Sequence, residues 1–335
     1  MFVSSKNITK INLNEANQEI EKIDQIYLLR FEKLLVEYLK NYNHTSTFED
    51  ISFKMICEDN QIICPLTIEK KSINEKILNF YDQPFEFFFK GKIGKKVETK
   101  LLIYLSEIIA KNDITKINMK VKKDLNNNIY FKKNKSYSNL VSVYKERFVN
   151  IKNENKQIMK GFSAGLRNEL KKNYDGTEYI IINKDNYKKN EILKMMYLHE
   201  KISKRKTRTK ESWIINEKMI LENKAFLIKC LLNGECISYS LFFHNSLVTT
   251  WFSSCTIREH FKNVRNLSST VVWMAMKYVK DSHNCSYFNL GVETIFSREP
   301  LSDKEKNIEF FKGKFRGTGE TYFLYDLLPT KLFCM

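Results

Sequence analysis

Residues 201–210 read Lys-Ile-Ser-Lys-Arg-Lys-Thr-Arg-Thr-Lys, six basic side chains in ten positions with no acid among them. Arg205 and Arg208 suit a bidentate grip on a diphosphate or carboxylate, which a planar guanidinium fits better than an ammonium does. His199, one turn earlier on the same predicted helix, titrates near neutrality and suits a general base. A third group lies near the C-terminus, where Asn-Ile-Glu-Phe-Phe-Lys-Gly-Lys-Phe-Arg-Gly spans 307–317. Packing of a helix end explains Phe310, Phe311 and Phe315 there, but not why Lys312 stands between them. Asn266, Ser268 and Ser269 open an apolar-periodic stretch, where such side chains cap helices. Glu293 and Arg298 follow a predicted strand ending at Gly291, in a loop position of the kind that often carries function.

Composition bounds what these groups serve. The chain has 335 residues, 43% of them hydrophobic and 13% aromatic, enough for packed cores in two domains or one large one. Its formal net charge is +17, which attracts nucleic acid, acidic lipid or phosphorylated small molecules. Abundant Lys, Asn and Ile fit an AT-rich coding sequence, so part of the charge is compositional. The first twenty residues hold no signal-peptide core. The most apolar window, 236–255, is broken by His244-Asn245-Ser246 and falls short of the roughly 18 apolar residues of a membrane span. Seven cysteines at 57, 64, 230, 236, 255, 285 and 334 form no Cys-x-x-Cys, the pattern of reduced thiols, not of a disulfide frame or metal site. The expectation is a soluble cytoplasmic protein without a metal.

The elements that must position these groups follow from periodicity. Met159, Phe162, Leu166 and Leu170 recur at helical spacing. Then come a strand at 178–182, helices at about 187–203 and 211–223, and strands at 225–232 and 235–243. The last two are joined by Asn233-Gly234, the pair a type I′ turn requires. A strand at 247–255, a helix at 266–281, a strand at 285–291, a helix at about 303–314 and a strand at 320–325 complete the half. The first half partly repeats this order: a helix at 15–40, strands near 50–57, 61–69 and 84–90, a helix at 98–112, and strands at 114–121 and 147–151. Corresponding strands begin near 51 and 225, and near 115 and 285. The reading is two diverged copies, 1–150 and 151–335, in an α/β (α+β) chain whose sheets are mixed and mainly antiparallel, flanked by helices.

That order resembles the Gcn5-related N-acetyltransferase (GNAT) superfamily, and two such domains in tandem resemble the FemAB-type transferases. Ser-Ala-Gly-Leu-Arg-Asn-Glu-Leu-Lys-Lys at 163–172, the His199-to-Trp213 segment and Ile308-Glu-Phe-Phe-Lys-Gly-Lys-Phe-Arg-Gly317 are similar to segments of bacterial FemAB-like proteins associated with surface polysaccharide loci. The resemblance implies tandem GNAT-like domains, with the second catalytic. It implies that Lys312 reaches the donor's carbonyl or phosphates, with His199 as base. Arg205 and Arg208 would bind donor phosphates, as would Asn266, Ser268 and Ser269 at a helix N-terminus facing splayed strands. Glu293, Arg298 and Trp251 would line the acceptor pocket, although Trp213, Trp251 and Trp273 also read as core. The implied reaction is acyl or aminoacyl transfer from acyl-CoA or aminoacyl-tRNA to an amine of a nucleotide sugar or other cell-envelope glycan precursor.

Two departures stand out. The coiled-coil arm of the peptidoglycan-bridge enzymes is absent, and so is the glycine-containing pyrophosphate loop of CoA-binding GNATs. Arg-Glu-His-Phe-Lys-Asn-Val-Arg-Asn-Leu-Ser-Ser at 258–269 stands in the loop's place. A basic nucleic-acid-binding protein and an inactive scaffold of the same fold are the alternatives. No aromatic RNA-binding signature, helix-turn-helix pattern or zinc spacing supports the former.

Overall fold

The computed structural model describes residues 7–23, 32–42, 46–57, 59–91, 94–122, 140–262 and 264–329. By compactness the chain divides into two units, one of residues 1–145, 294–300 and 320–335, the other of residues 146–293 and 301–319.

In chain order the first unit has β1 (Ile8–Lys10), α1 (Leu13–Glu21), α2 (Lys33–Tyr42), β2 (Thr47–Asp50), β3 (Phe53–Cys57), β4 (Asn60–Cys64), β5 (Thr67–Ser72), β6 (Glu75–Asn79), β7 (Phe88–Lys90), α3 (Lys95–Asn112), β8 (Lys116–Lys122) and the start of β9 (Leu140–Asn150). The Asn12 side chain accepts from the Glu15 amide while Glu15 reaches back to the Asn12 amide, satisfying two free donors of the first turn of α1. The helix expected over 15–40 is α1 and α2, and residues 24–31 lie outside the described residues. The strand expected over 61–69 is also two. Pro65 has no amide hydrogen to continue a ladder. So β4 stays in the antiparallel sheet β1-β3-β4-β7, while β5 pairs with β2 and β6. β6 in turn pairs parallel with β8. Phe53, Ile63, Cys64, Leu66, Ile68 and Leu78 are fully buried between these elements. On β8, Lys120 forms an ion pair with Glu86 at 2.6 Å, the two side chains only 1% and 6% exposed.

The second unit continues with the end of β9, then α4 (Asn155–Gly161), α5 (Ala164–Glu169), β10 (Thr177–Ile182), α6 (Glu191–Ser203), α7 (Lys210–Leu221), β11 (Ala225–Leu232), β12 (Glu235–His244), β13 (Val248–Thr256), α8 (Leu267–His283), β14 (Tyr287–Ser297), α9 (Asp303–Gly313) and the start of β15 (Thr318–Leu327). The single helix read from Met159 to Leu170 is broken. Phe162 takes an extended backbone (φ −72°, ψ 162°), and Ser163 caps α5 by accepting from the Leu166 amide. Ile158, Phe162 and Leu166 are nonetheless all buried in one core with α8 residues such as Val272 and Met276, which is why their spacing looked continuous.

β10, β11, β12 and β13 form an antiparallel series. Asn233 (φ 50°) and Gly234 (φ 83°) make the expected turn between β11 and β12, both in the left-handed region that a type I′ turn demands. β13 and β14 pair parallel, but only from Val248↔Tyr287 to Thr250↔Asn289. Beyond Thr250 and Asn289 that ladder stops. β3 and β11 begin at residues 53 and 225, β8 and β14 at 116 and 287, offsets of 172 and 171. Each unit is a mixed, mainly antiparallel α/β arrangement flanked by helices.

Candidate functional site

α9 carries Lys312 to the place where β13 and β14 part. Ser302 and Glu305 form a capping box at its start. Phe311 and Phe315 anchor its end: Phe311 lies 5.7 Å from Trp251 and 5.4 Å from Phe315, and Phe315 lies 5.3 Å from Phe162. Phe310 is 71% exposed, so the anchoring falls to the other two. Lys312 Nζ then donates to the Val292 carbonyl at 3.0 Å. Gly291, immediately before, has φ +81°, and a Cβ there would lie 3.2 Å from Lys312 Nζ. Glycine thus supplies both the backbone conformation and the room for the ammonium. Burial pushes the Lys312 pKa below the ordinary lysine range. Glu309 and Glu293 oppose that shift, and Arg147 adds to it. An ammonium has three donors, and among the described residues Lys312 uses one.

A polar frame that sequence reading missed holds this backbone. Arg147, on β9, pairs with Glu293 through Nη2 and donates through Nη1 to the Arg316 carbonyl. Glu146 Oε1 accepts from Asn289 Nδ2 at 2.8 Å, and Asn289 Oδ1 accepts from the Gly291 amide at 2.6 Å. Glu146, Arg147 and Asn289 are all buried. The available signal was an adjacent Glu-Arg pair entering the apolar strand Phe148-Val149-Asn150-Ile151.

His199 and Arg208 come together in a second cluster. Arg208 Nη2 donates to Ser253 Oγ at 3.0 Å, and its guanidinium lies 4.4 Å from the Trp213 ring centre. His199 packs edge-on against the same indole at 5.7 Å and shares a 3.2 Å hydrogen bond with Thr207 Oγ1. Burial lowers the His199 pKa, with the charges of Arg208 and Lys304 acting the same way, so its ring is neutral at physiological pH. Trp251 and Ser253 pair with the adjacent residues Phe242 and Leu241, leaving Phe252 as the extra residue of a bulge. Adjacent strand residues point to opposite faces. The bulge therefore turns Ser253, with Arg208 and His199, to one face of β13 and Trp251, with Phe311, to the other.

The remaining predicted residues are placed as follows. Arg205 is exposed, as are Lys201, Lys204, Lys206 and Lys210. Arg298 belongs to the first unit, where its side chain donates to the Leu140 carbonyl at 2.9 Å. Ser268 is half-buried at the start of α8. Asn266 does not cap that helix; its amide donates instead to the carbonyls of Glu169 and Lys172, each at 2.8 Å. Ser269 Oγ donates to Glu169 Oε2 at 3.0 Å, and Lys314 Nζ pairs with Glu169 Oε1 at 2.7 Å.

No family model matches this sequence, and no curated protein matches it. Solved structures do. FemX superposes with a TM-score of 0.61 over 98% of each chain at 11% identity. The tandem GNAT protein from the clavulanic acid biosynthesis pathway superposes at 0.54, over 96% of this chain and 98% of that one, at 9% identity. The chain has the FemAB-like, tandem GNAT fold. A GCN5-related N-acetyltransferase from Sphaerobacter thermophilus superposes at 0.53 with 9% identity, over 96% of this chain and 95% of that one.

Ahead of α8, residues 258–269 contain no glycine, Arg258–Lys262 coil into a 3₁₀ turn, and Ser269 in the first turn of α8 is engaged by Glu169. Among the described residues no helix is long and apolar enough to cross a membrane, and no cluster of metal-ligating side chains occurs.

Proposed function

We propose that the second unit transfers an acyl or aminoacyl group to an amine. One observation carries this reading: the Lys312 ammonium is held against the Val292 carbonyl at 3.0 Å, just past the point where the β13–β14 pairing ends at Thr250 and Asn289, with donors to spare. The amine nitrogen attacks the donor's carbonyl carbon, and a new C–N bond replaces the ester C–O or thioester C–S bond. The nitrogen gives up a proton, and the departing oxygen or sulfur takes one up. Lys312 donates to the oxyanion as the tetrahedral intermediate forms, where a fixed charge is worth most. His199 lies on the other face of β13 and takes no part in this step; the nitrogen's proton passes to the departing oxygen or sulfur.

The donor this geometry suits best is an aminoacyl ester on tRNA. Lys201, Lys204, Arg205, Lys206 and Lys210 are exposed on one loop and its flanks, the electrostatic footprint of a polyanion. The acceptor is an amine of a nucleotide sugar or other glycan precursor, and the candidates to receive it are Glu293, whose charge acts on Lys312, and Trp251, which packs on the adjacent Phe311. The same cations also fit a second reading, a basic nucleic-acid-binding protein without catalysis.

A thermal-shift screen separates the two. Charged tRNA, acyl-CoAs and UDP- or CMP-linked amino sugars are tested against the wild type and Lys312→Ala. A concentration-dependent stabilisation by one donor and one sugar, the donor's lost in Lys312→Ala, is the expected result. Salt-sensitive tRNA binding that the variant retains, with no response to any sugar, overturns the transferase reading.

A further inference from the structure

We propose that Glu169 is a specificity-determining residue that closes the start of α8 to diphosphate-bearing donors such as CoA. The first amides of a 17-residue helix lack intrahelical acceptors and carry the positive end of its dipole, so that end suits an anion. Here an anion of the chain's own stands beside the first turn. The Glu169 carboxylate takes Ser269 Oγ, in the first turn of α8, at 3.0 Å and Lys314 Nζ at 2.7 Å. Its two oxygens therefore engage both the hydroxyl and the cation that a phosphate there would use.

Asn266 fixes the arrangement. At 2% exposure it donates its amide to the carbonyls of Glu169 and Lys172, which ties the end of α5 to the start of α8. Its Oδ1 is buried without a hydrogen-bond partner among the described residues, adding a lone-pair acceptor where a phosphate needs donors. The 258–269 segment has no glycine, the residue that lets a backbone come closest to a ligand. A CoA diphosphate at α8 meets a like charge and finds the Ser269 hydroxyl and the Lys314 ammonium already engaged. This inference rests on the transferase reading only for which donor is excluded. The placement of the carboxylate stands without it.

The test is binding, not turnover. Calorimetric titration with CoA, and with pantetheine as the diphosphate-free control, is run on the wild type, Glu169→Gln, Glu169→Ala and Glu169→Gln/Lys314→Met. Circular dichroism and unfolding midpoints confirm that each variant is folded. The wild type is expected to show no CoA binding up to about 1 mM, an affinity of only about 4 kcal/mol. Glu169→Gln or Glu169→Ala is expected to tighten CoA about tenfold or more, in a salt-sensitive manner. Lys314→Met in the Gln background removes that gain, and pantetheine is indifferent throughout. Micromolar CoA binding by the wild type, or folded Glu169 variants that bind CoA no better than it, overturns the proposal. Failure of the transferase reading shows elsewhere, as Lys312→Ala without effect on any transfer.

Discussion

Lys312 Nζ and the Val292 carbonyl lie 3.0 Å apart, and Leu290 and Gly291 separate Val292 from the part of β14 that pairs with β13. Gly291 has φ +81°, and a Cβ would sit 3.2 Å from Nζ. Gly291→Ala is therefore expected to cost about 1 kcal/mol from the left-handed backbone alone and to displace Lys312. Urea unfolding reads the first effect, and a change in the rate of Lys312 acylation by an amine-reactive reagent, followed by mass spectrometry, reads the second.

Arg147 joins Glu293 to the Arg316 carbonyl, and its charge lowers the Lys312 pKa while that of Glu293 raises it. Arg147→Met is expected to destabilise by about 2 kcal/mol, since Glu293 and a carbonyl lose a charged donor. It should also move the pH midpoint of Lys312 acylation upward. Glu293→Gln should move that midpoint downward. Identical midpoints in all three proteins contradict the frame.

Acid stability reports on His244. The ring is 4% exposed, and burial, the neighbouring His283 and Lys224 hold its pKa down to about 3, only partly offset by a backbone hydrogen bond. The unfolded chain binds this proton near pH 6.5 while the folded chain does not. The stability from the neutral ring is thus complete above about pH 6.5 and falls toward pH 3, by up to about 1.4 kcal/mol per pH unit. His244→Phe should flatten that part of the stability–pH curve; an unchanged slope contradicts it.

The first unit places an ion pair, Lys120–Glu86, where the 171-residue offset of β8 and β14 brings Gly291 in the second. Lys120→Met alone is expected to cost about 3–5 kcal/mol by stranding a buried carboxylate. Lys120→Met with Glu86→Leu should recover most of it. Loss of transfer in the recovered double variant contradicts the assignment of chemistry to the second unit.

Much of the fold was legible because its signals were local. The Asn233-Gly234 pair dictated a turn, and the apolar strands and the α8 periodicity dictated their elements. Breaks were harder to read. Phe162 and Pro65 interrupt what periodicity runs together, since burial on one side looks the same whether a helix or strand is continuous or bent. The closing motif singled out Lys312 as a candidate. Its partners were not legible, because Gly291, Val292 and Arg147 are distant in sequence or act through backbone. The Asn266 and Ser269 side chains read as caps or anion ligands, yet they serve Glu169, a pairing that only folding creates.

The central claim is that Lys312 polarises the carbonyl under attack. The direct test is single-turnover transfer from charged tRNA, with acyl-CoA in parallel, to amino-sugar acceptors, comparing the wild type with Lys312→Ala and Lys312→Met. Both variants are expected to lose about a hundredfold or more in the transfer step with unfolding midpoints little changed. Variants that transfer within about twofold of the wild-type rate, far less than an oxyanion donor is worth, would contradict it.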